Sequence, residues 1–522
     1  MAFSCIKLAL LSISIFITIF PETSFSVDPE SEDSNSTTEV ILTQSSSSYT
    51  SLLQSLIRNL RFLNSSVPKP NLIVTPQNLA HIQAAITCSR KHGLQVRVRS
   101  GGHDYEGLSY VSDVPFLIID LINLRSINID INDESAWVQA GATLGELCYA
   151  IAKTSNMCGF PDGSCPTVGV GGHLSVVGFG TIFRKYGLAA DQVIDAEMVD
   201  VNGNILNRTL MGEDLLWDIR GGGGSSFGVI TAWKVKLVPV PPKVTIFNVA
   251  KTLDQGASNL FQKWQTISHK LPNELFLHSV MGVANSSSPN GGKTVVVSFT
   301  GLYLGTAENL LPLMQNNFAE LGLQLNSFTE MSWIQSVLYK YRLFNQWTLG
   351  GFASEKPNIQ KLQSNIRLCY RTHSCGRFGR AVEHVARREH SQHTNLILTP
   401  YGGRMSEISG SETPFPHRNG SIYGIQYLVY WDSNEETPKH IYGMRRLYSY
   451  VTPYVSKCPR AAYLNYRDLN LGVNRGSTSY EEAKSWGVKY FKFHFERLAR
   501  VKAEFDPSNF FWHEQSIPPS FN

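Results

Sequence analysis

The sequence has no large excess of charge of either sign. Its 46 lysine and arginine residues nearly balance 42 aspartate and glutamate residues, which leaves a net charge of +4. No dense basic run interleaved with aromatic residues occurs, so nucleic acid is not expected as a partner. Charged residues make up 17% and apolar residues 42% of the 522 residues, which excludes a disordered or fibrous chain.

Long hydrophobic runs are also missing. No apolar run reaches the roughly 18 residues that a membrane helix needs, so we expect no membrane span. The longest run, Leu8–Phe20, lies between Lys7 and a polar stretch of small residues, which predicts a secretory signal peptide over residues 1–26. An apolar N-terminal core helix is the alternative. Five Asn-X-Ser/Thr sequons also suit a glycoprotein that is secreted or delivered to the vacuole through the secretory pathway.

Cysteine is scarce, at eight residues in the whole chain. Removal of Cys5 with the signal peptide leaves seven of the eight, an odd number in an oxidising compartment. At least one cysteine must therefore do something other than pair within the chain.

The periodicity of the chain predicts an α+β protein. Helices are predicted over Tyr49–Leu63 and, as an amphipathic segment near the end, over Tyr480–Val501. The proline cluster Pro239–Pro242 is a candidate linker between two units. The strands predicted from β-branched runs are Asn71–Val74, Gln95–Val98, Phe116–Leu121, Ala136–Ala140, Val193–Val199, Val244–Val249, Thr294–Phe299 and Tyr423–Trp431.

Three glycine-rich runs stand out. The first, Arg97–Gly107, follows a strand, and its paired glycines let the backbone approach a diphosphate closely, although alone it is equally a tight turn. The second, Gly163–His173, holds Cys165 between glycines and a proline, which is a poor disulfide site and indicates a reactive thiol; a buried structural cysteine is the alternative. The third, Gly221–Gly224, leads into a strand, and a wide β-bulge would explain it without any ligand.

Together the three runs resemble those of the berberine bridge enzyme-like oxidases, a flavoprotein family with the vanillyl-alcohol-oxidase type of FAD fold. The resemblance extends from about Tyr49 to the C-terminus, with one segment excepted. It implies an α+β fold with a two-part FAD-binding domain of the PCMH type and a substrate domain whose antiparallel sheet is covered by helices. The implied domains are the FAD-binding domain at 49–237, the substrate domain at 238–457 and a C-terminal berberine-bridge-type segment at 458–522 that returns to the FAD domain.

The resemblance implies FAD as the cofactor, held by two covalent bonds. His103 matches the histidine bonded to the 8α-methyl of the flavin, and Cys165 matches the cysteine bonded to C6, which gives the unpaired cysteine a use. Val168 matches a position where valine admits O2 and leucine blocks it, so an oxidase that releases hydrogen peroxide is implied. The other cofactor-binding positions implied are Arg99, Ser100, Gly101, Gly102, Asp104, Gly169, Gly172, Gly178, Gly180, Val229 and Asn465.

The catalytic residues are also implied by resemblance. Tyr463–Gly472 is similar to the family's YxNYxDxDLG, whose second tyrosine, here Tyr466, is the catalytic base. A phenol with a pKa of about 10 must be tuned downward for this work, and Tyr186 matches a position that supports the tuning. Without the motif, either tyrosine is more simply a core residue with a hydrogen-bonded hydroxyl. Gln426 matches a position that holds a glutamate base or a substrate-contacting glutamine, and the absence of lysine at Gly424 argues against cinnamyl-type alcohols.

The implied reaction is proton removal by Tyr466, hydride transfer to flavin N5 and reoxidation by O2. We expect the enzyme to be a monomer whose partners are O2 and a small phenolic, alkaloid, terpenophenol or carbohydrate alcohol of plant type. A redox-neutral FAD-dependent cyclase of the Diels-Alderase type and an inactive flavin-binding relative are the alternatives.

Two further features of the sequence depart from the family pattern. The stretch Ser175–Gly180 reads SVVGFG where the family usually has SGGG(Y/F)G, so Val176 and Val177 replace glycines. If the family uses a positive φ there, each valine costs about 1–3 kcal/mol or displaces the flavin. Cys88 matches a disulfide position whose usual upstream partner is missing, and we expect a free thiol.

The segment from about 340 to 393 does not resemble the family. Between Ile366 and His393 it holds six arginines, four histidines and two cysteines, but their irregular spacing does not predict a metal site. Back-translated with free choice of synonymous codons and read one nucleotide on, residues 364–392 can give a family-like sequence. Our hypothesis is that this segment is out of frame, which the coding DNA tests. Made as written, part of the substrate domain is expected not to pack.

Overall fold

The computed structural model describes residues 40–286, 292–348, 361–369, 394–433, 435–457, 460–476 and 478–521. The predicted signal peptide and the parts 349–360 and 370–393 of the unusual segment lie outside these ranges. Within the described ranges, no helix combines the length and the apolar character needed to cross a bilayer.

The first part of the chain forms two sheets and a short pair of strands. One sheet has the order β1-β2-β4-β3, with β2, β4 and β3 parallel, and the other has the order β5-β6-β10-β8-β9; β7 pairs with β11. The strands are β1 Ile41–Thr43, β2 Leu72–Val74, β3 Gln95–Arg99, β4 Phe116–Asp120, β5 Ile127–Asp130, β6 Ser135–Gln139, β7 Cys158–Gly159, β8 Val193–Val199, β9 Ile205–Leu206, β10 Val229–Lys236 and β11 Val238–Pro239.

The middle of the chain forms a seven-stranded antiparallel sheet of order β15-β12-β14-β13-β17-β18-β16. On one face, side chains such as Leu277, Phe299 and Ile425 are buried against helices in one apolar core. Because successive residues of a strand point to opposite faces, their neighbours in sequence face the other way. The strands are β12 Val244–Thr252, β13 Leu275–Asn285, β14 Lys293–Tyr303, β15 Thr329–Met331, β16 Lys361–Cys369, β17 Thr394–Pro400 and β18 Tyr423–Trp431.

Capping residues set the ends of several helices. Thr143 and Glu146 form a reciprocal capping box at the start of one helix, and Ser479 and Glu482 form another. Gly93 ends a helix in the left-handed conformation, at φ 63°. The α-helices are Tyr49–Leu56, Leu79–His92, Leu144–Thr154, Val170–Ser175, Phe183–Tyr186, Arg208–Ile219, Ala257–Ile267, Ala307–Phe318, Trp333–Thr348, Arg404–Glu407, Thr437–Val451, Tyr480–Phe491 and His494–Phe505.

Both predicted helices are shorter than expected. The first ends at Leu56, because Ile57 has an extended conformation with ψ 108°. The helix predicted over 480–501 is two helices, which are separated where Lys492 adopts a φ of 49°. A single left-handed residue of this kind does not interrupt the apolar periodicity, so the pattern alone predicts one continuous helix.

The C-terminal segment packs back onto the first part of the chain. Phe495 and Leu498 lie in the same apolar core as Val138 and Trp233 of the five-stranded sheet. An ion pair of 2.8 Å joins Arg97 of β3 to Glu514 near the end of the chain. Residues that are far apart in sequence therefore build one body around the glycine-rich runs.

Cys88 is disulfide-bonded, so the expectation of a free Cys88 thiol is wrong. The prediction considered only a partner upstream of the first helix, whereas a disulfide needs any two sulfurs that folding brings together. The other cysteines within the described ranges are free, and they are Cys148, Cys158, Cys165 and Cys369.

The nine residues 361–369 of the unusual segment do pack. They form β16, which pairs along its whole length with β18, from Lys361 opposite Trp431 to Cys369 opposite Tyr423. Leu368 and Cys369 are fully buried. For this stretch the written sequence forms sheet and core, so it is not the part of the substrate domain that was expected not to pack. Within the described residues no group of three or more metal-binding side chains is present.

Candidate functional site

A cavity of about 490 Å³ lies between the glycine-rich runs and the open face of the seven-stranded sheet. Its lining comes from all three glycine-rich runs, the C-terminal motif and alternate residues of the sheet. The lining residues of the sheet are Ile246, Phe276, His278, Val280, Ser298, Thr300, Gly301, Leu302, Asn395, Ile397, Thr399, Gln426, Leu428 and Tyr430. The cavity thus joins elements from every part of the chain.

The first two glycine runs lie directly against each other. A Cβ atom on Gly101 would overlap the backbone nitrogen of Gly169, and one on Gly169 would overlap Ser100 Oγ. Only glycine fits at both positions, because any side chain would push the two loops apart. Gly172 is different: nothing lies within 4 Å of the place where its Cβ would be, and it faces the cavity. Bare backbone is therefore open to a ligand there.

The contact between the loops brings His103 and Cys165 together. Both side chains line the cavity, and both contact the hydroxyl of Thr167, which lies 3.0 Å from His103 Nε2 and 3.3 Å from Cys165 Sγ. Burial, followed by the charges of Arg58 and Arg99, lowers the pKa of the His103 imidazole to about 3. The imidazole is therefore neutral at physiological pH, with a lone pair available to an electrophile.

Arg58 is a cavity residue that the sequence reasoning missed. It follows the first helix, and its Nε is buried with no hydrogen-bond partner among the described residues. Burial and the charge of Arg99 lower its pKa, and Cys165 acts in the opposite direction. The guanidinium therefore lies close enough to both nucleophiles for its charge to act on them. In the sequence it is one of two basic residues inside the helix predicted over Tyr49–Leu63.

Tyr466 lies among other aromatic residues in the cavity. The centres of the Tyr466 and Tyr105 rings are 5.6 Å apart, and Gln426 Nε2 donates a 3.0 Å hydrogen bond to the Tyr105 hydroxyl. Burial raises the pKa of Tyr466 well above its ordinary value, and the neighbouring tyrosines, Tyr105 first, raise it further. The described residues therefore do not provide the downward tuning that a tyrosine base near neutral pH requires.

The C-terminal motif is bonded directly to the glycine-rich loops. Arg467 Nε donates a 2.9 Å hydrogen bond to Asp104, whose other oxygen accepts the backbone N–H groups of Glu106 and Leu108. Asn465 Nδ2 donates to the carbonyl of Val176 at 3.0 Å. These bonds fix Tyr466 relative to the loop that carries His103.

Four predicted site residues lie behind the cavity wall. Arg99 forms a buried 2.8 Å ion pair with Asp120, and Val229 is fully buried in the core beside the parallel sheet. Gly178 has a φ of 63°, and a Cβ there would overlap the His173 ring. These three residues support the loops.

Tyr186 is the fourth of these residues. Its hydroxyl donates a hydrogen bond to the carbonyl of Pro239, and its ring packs in a separate apolar cluster with Val240 and Trp333. The structure does not bring it to Tyr466. The remaining predicted residues, together with Tyr466, Gln426 and Asn465, do line the cavity, and these are Ser100, Gly101, Gly102, His103, Asp104, Cys165, Val168, Gly169, Gly172 and Gly180.

One of the two unusual valines has a strained backbone. Val177 has a φ of 73°, a conformation that β-branched residues rarely adopt, and its side chain is buried in the core. Val176 has an ordinary φ of −130° and lines the cavity. The strain expected for both valines therefore falls on Val177 alone.

Known proteins resemble the whole chain. Residues 70–209 match the sequence model of an FAD binding domain, and residues 462–518 match the one described as berberine and berberine like. A tetrahydroberberine oxidase of Berberis wilsoniae is 50% identical over 487 residues, which are 92% of this chain and 91% of the relative. The chain belongs to the berberine bridge enzyme-like family.

Two solved structures extend the comparison. BBE-like #28 from Arabidopsis thaliana is 45% identical, with a TM-score of 0.85 over 92% of this chain and 98% of that one. The grass pollen allergen Phl p 4, which has glucose dehydrogenase activity, is 40% identical, with a TM-score of 0.85 over 92% of this chain and 97% of that one. The berberine bridge enzyme-like family thus confirms the α+β fold with an FAD-binding domain and the class of FAD-dependent oxidoreductase.

The cavity fits FAD, the cofactor of this family. Two buried guanidinium nitrogens on cavity-lining residues, Arg58 Nε and Arg467 Nη1, have no hydrogen-bond partner among the described residues. FAD offers acceptor oxygens and negative charge, which suit such donors. The bare backbone at Gly172 leaves room for a close approach. The FAD dinucleotide would therefore be held along the glycine runs, and its flavin ring would lie beside His103 and Cys165.

Proposed function

We propose that this berberine bridge enzyme-like protein is a secreted, monomeric oxidase of small hydroxylated plant metabolites, with O2 as electron acceptor and hydrogen peroxide as product. FAD, when bound, supplies the hydride acceptor and the reaction with O2. The proposal rests above all on one observation: His103, Cys165 and Tyr466 line one cavity whose opposite wall carries several polar side chains.

His103 and Cys165 would hold the flavin covalently. Both side chains reach the Thr167 hydroxyl, so the two nucleophiles are close enough to bond neighbouring atoms of one ring system. The low pKa of His103 keeps the imidazole in its nucleophilic form. Two bonds would hold the ring without protein clamping it from the substrate side, which leaves that side open.

Tyr466 would accept the substrate proton. It is the second tyrosine of the C-terminal motif and lines the cavity, as Tyr463 also does, and Asn465 and Arg467 on either side of it anchor the motif. Gln426 cannot abstract a proton, because an amide has no basic site in this pH range. Its side chain holds Tyr105 and is available to position a substrate hydroxyl.

Val168 supports an oxidase rather than a dehydrogenase. Its side chain is half-buried and faces the cavity close to Cys165. Among the solved relatives, wild-type Phl p 4 is a glucose dehydrogenase, and a variant with isoleucine changed to valine is a glucose oxidase. A valine side chain is smaller at its tip than isoleucine, so such a change leaves space for O2.

The sheet wall favours a substrate with several hydroxyl groups. Alternate residues of β13, β14, β17 and β18 face the cavity, and most of the polar ones can both donate and accept hydrogen bonds. The hydroxyl groups of a substrate can use the remaining hydrogen-bonding capacity of these side chains, which an apolar substrate cannot do. The polar side chains of this wall are His278, Ser298, Thr300, Asn395, Thr399 and Gln426.

The absorption spectrum and mass of the purified mature protein test the cofactor. A yellow chain whose mass exceeds that of the polypeptide by one FAD after denaturation is expected, together with an N-terminus close to residue 27. A colourless chain would refute the proposed function. Protein retained inside cells with its first 26 residues intact would refute secretion, and a dimer mass in solution would refute the monomer.

Turnover experiments test the reaction. D-glucose, other sugars and tetrahydroberberine are offered in air, and hydrogen peroxide is measured. Peroxide formation with a hydroxylated compound is expected. Bleaching of the flavin by substrate without O2 separates an oxidase from a redox-neutral cyclase, which would convert its substrate while the flavin stays oxidised. Bleaching without peroxide in air would show a dehydrogenase.

A further inference from the structure

Lys340 brings a positive charge to the wall of the cavity. It lies on the helix Trp333–Thr348, only 4% of its surface is exposed, and it lines the cavity. Its Nζ donates a 2.8 Å hydrogen bond to Thr181 Oγ1 and lies 4.9 Å from the centre of the Trp333 ring. Neither partner is an anion. Because an ammonium has three N–H donors, this one can bind a further acceptor.

The charge of Lys340 has no counter-ion in contact. Among the described residues, none of the ion pairs formed by lysines involves Lys340. Asp104 is the one acidic residue in the described lining, and it is already paired with Arg467. A buried charge without a counter-ion is unfavourable, so an anion that enters the cavity gains strongly from meeting it.

Asp162 and His278 lie within range of the lysine charge, but neither forms a hydrogen bond or an ion pair with Lys340. Asp162 is buried behind the wall, and burial raises its pKa, an effect that Lys340 opposes. Burial, followed by the charge of Lys340, lowers the pKa of His278 to about 4, so this ring is neutral at physiological pH. Both effects show that the charge of Lys340 acts on its surroundings at this end of the cavity.

Lys340 lies away from the two flavin anchors. The cations that lower the pKa of His103 are Arg58 and Arg99, and Lys340 acts instead on His278 of β13. His278 belongs to the sheet wall, beside the polar residues that face a substrate. The ammonium is therefore placed to meet the substrate rather than the part of the flavin near His103.

We propose that Lys340, with the Thr181 hydroxyl, forms an anion-binding subsite, and that the substrate of this enzyme carries a carboxylate that binds there. The proposal rests on the oxidase function proposed above and specifies its substrate class as a hydroxylated acid, such as a sugar acid. A carboxylate accepts charge-assisted hydrogen bonds from an ammonium, and its hydroxyl groups would meet the sheet wall. No bond is made or broken in this subsite.

Calorimetric titration of the purified holoprotein with D-glucuronate and D-glucose tests the subsite, because the two sugars differ in one carboxylate. Wild type is expected to bind glucuronate more tightly. Lys340→Met is expected to weaken glucuronate binding by about tenfold or more relative to glucose binding, because a buried charged hydrogen bond is lost. Lys340→Arg, which keeps the charge, is expected to retain most of the preference.

Three further measurements make the result decisive. Lys153→Met removes an exposed lysine outside the cavity and is expected to change neither affinity. Circular dichroism shows whether each variant is folded; if Lys340→Met is not, Lys340→Gln replaces it in the same comparison. The midpoint potential of the flavin is measured in parallel, since a lysine that serves the flavin would shift the potential of Lys340→Met and leave the glucuronate preference intact.

The proposal is overturned if wild type binds the two sugars equally, or if the preference survives in the folded Lys340 variants without a positive charge at this position. Calorimetry measures binding without any reaction of the flavin. Loss of the glucuronate preference can therefore be told apart from failure of the proposed oxidase function. A colourless protein refutes the oxidase, and its glucuronate preference still decides the subsite.

Discussion

His103 and Cys165 contact the same hydroxyl group, that of Thr167, at 3.0 and 3.3 Å. The two residues are 62 positions apart in the chain, and the direct packing of Gly101 on Gly169 brings them together. The two side chains are therefore aimed at one small region of the cavity. This geometry has consequences that can be tested separately from catalysis.

We expect each anchor to hold the flavin on its own. His103→Ala and Cys165→Ala should each keep flavin after denaturation through the remaining bond, and the double variant should lose it. Flavin fluorescence of the denatured chain measures the outcome. Cys158→Ala, which removes a free cysteine outside the cavity lining, is the matched control and should keep both bonds. Release of all flavin from Cys165→Ala would show that the histidine bond does not form.

Arg58 is expected to speed attachment of the flavin. The charge of Arg58 near His103 disfavours the imidazolium, so the imidazole stays in its nucleophilic form. Arg58→Met should slow the binding of added FAD to flavin-free protein as a denaturation-resistant adduct, and Arg58→Lys should restore part of the rate. Equal rates in Arg58→Met and wild type would contradict this role.

The raised pKa of Tyr466 predicts a rise of activity with pH. A base works only when deprotonated, and a pKa above the ordinary value leaves little phenolate near neutrality. The value of kcat/KM should therefore increase about tenfold per pH unit between about pH 6 and pH 9. Tyr466→Phe should lower kcat by about 10²- to 10⁴-fold. Tyr149→Phe, at an exposed tyrosine, should leave the profile unchanged. A flat profile would mean that Tyr466 is not the base or that bound groups lower its pKa.

The strained backbone at Val177 predicts an unusual order of stability. At φ 73°, alanine suffers about 1–2 kcal/mol that glycine does not, so Val177→Gly should be more stable than Val177→Ala by about 1 kcal/mol. The loss of the valine side chain is nearly the same in both and largely cancels. Urea unfolding of the two variants measures the difference.

Val176 provides the control for this comparison. Its φ of −130° is open to any residue, so Val176→Ala should be more stable than Val176→Gly by about 0.5–1 kcal/mol. The same order at both positions would show that Val177 is not strained in solution.

Buried histidines predict that the fold loses stability in acid. Burial lowers the pKa of His173 to about 4, of His278 to about 4 and of His417 to about 3. Below the unfolded value of about 6.5 the unfolded chain takes up these protons and the folded chain does not, so stability is complete above that pH and falls as the pH drops towards about 4. Each histidine contributes a slope of about 1.4 kcal/mol per pH unit.

Urea unfolding between about pH 7 and pH 5 measures this slope. His417→Gln should flatten it by about one proton, because glutamine can still donate a hydrogen bond to the carbonyl of Tyr490, as His417 does, but does not titrate. An unchanged slope in that variant would show that His417 is accessible to protons in the folded state.

The strands and the loops of the site could be predicted from the sequence to different extents. Alternation located β18 at Tyr423–Trp431, as predicted, and the glycine runs identified His103 and Cys165, both of which line the cavity. Period-two alternation shows that residues share a face but not what that face meets. The polar wall of the cavity was therefore not predicted, although Gln426 was.

The residues that were missed reach the site from elements without a motif. Arg58 and Lys340 are single basic residues beside or within apolar helices, where a charged residue ordinarily marks the exposed face. Arg99 and Val229 show the opposite case, because they belong to motifs but face away from the cavity. Only the packing of one element on another decides these directions, and a linear pattern does not contain that information.

The large sheet separates two tasks between successive residues of the same strand. In β14, Phe299 belongs to the apolar core, and its neighbours Ser298 and Thr300 face the cavity. Exchange of every second residue would therefore reshape the substrate pocket while the buried half of each strand stays as it is. New specificities can arise on such a sheet by few mutations, each nearly neutral for folding, which makes the protein a favourable starting point for duplication and divergence.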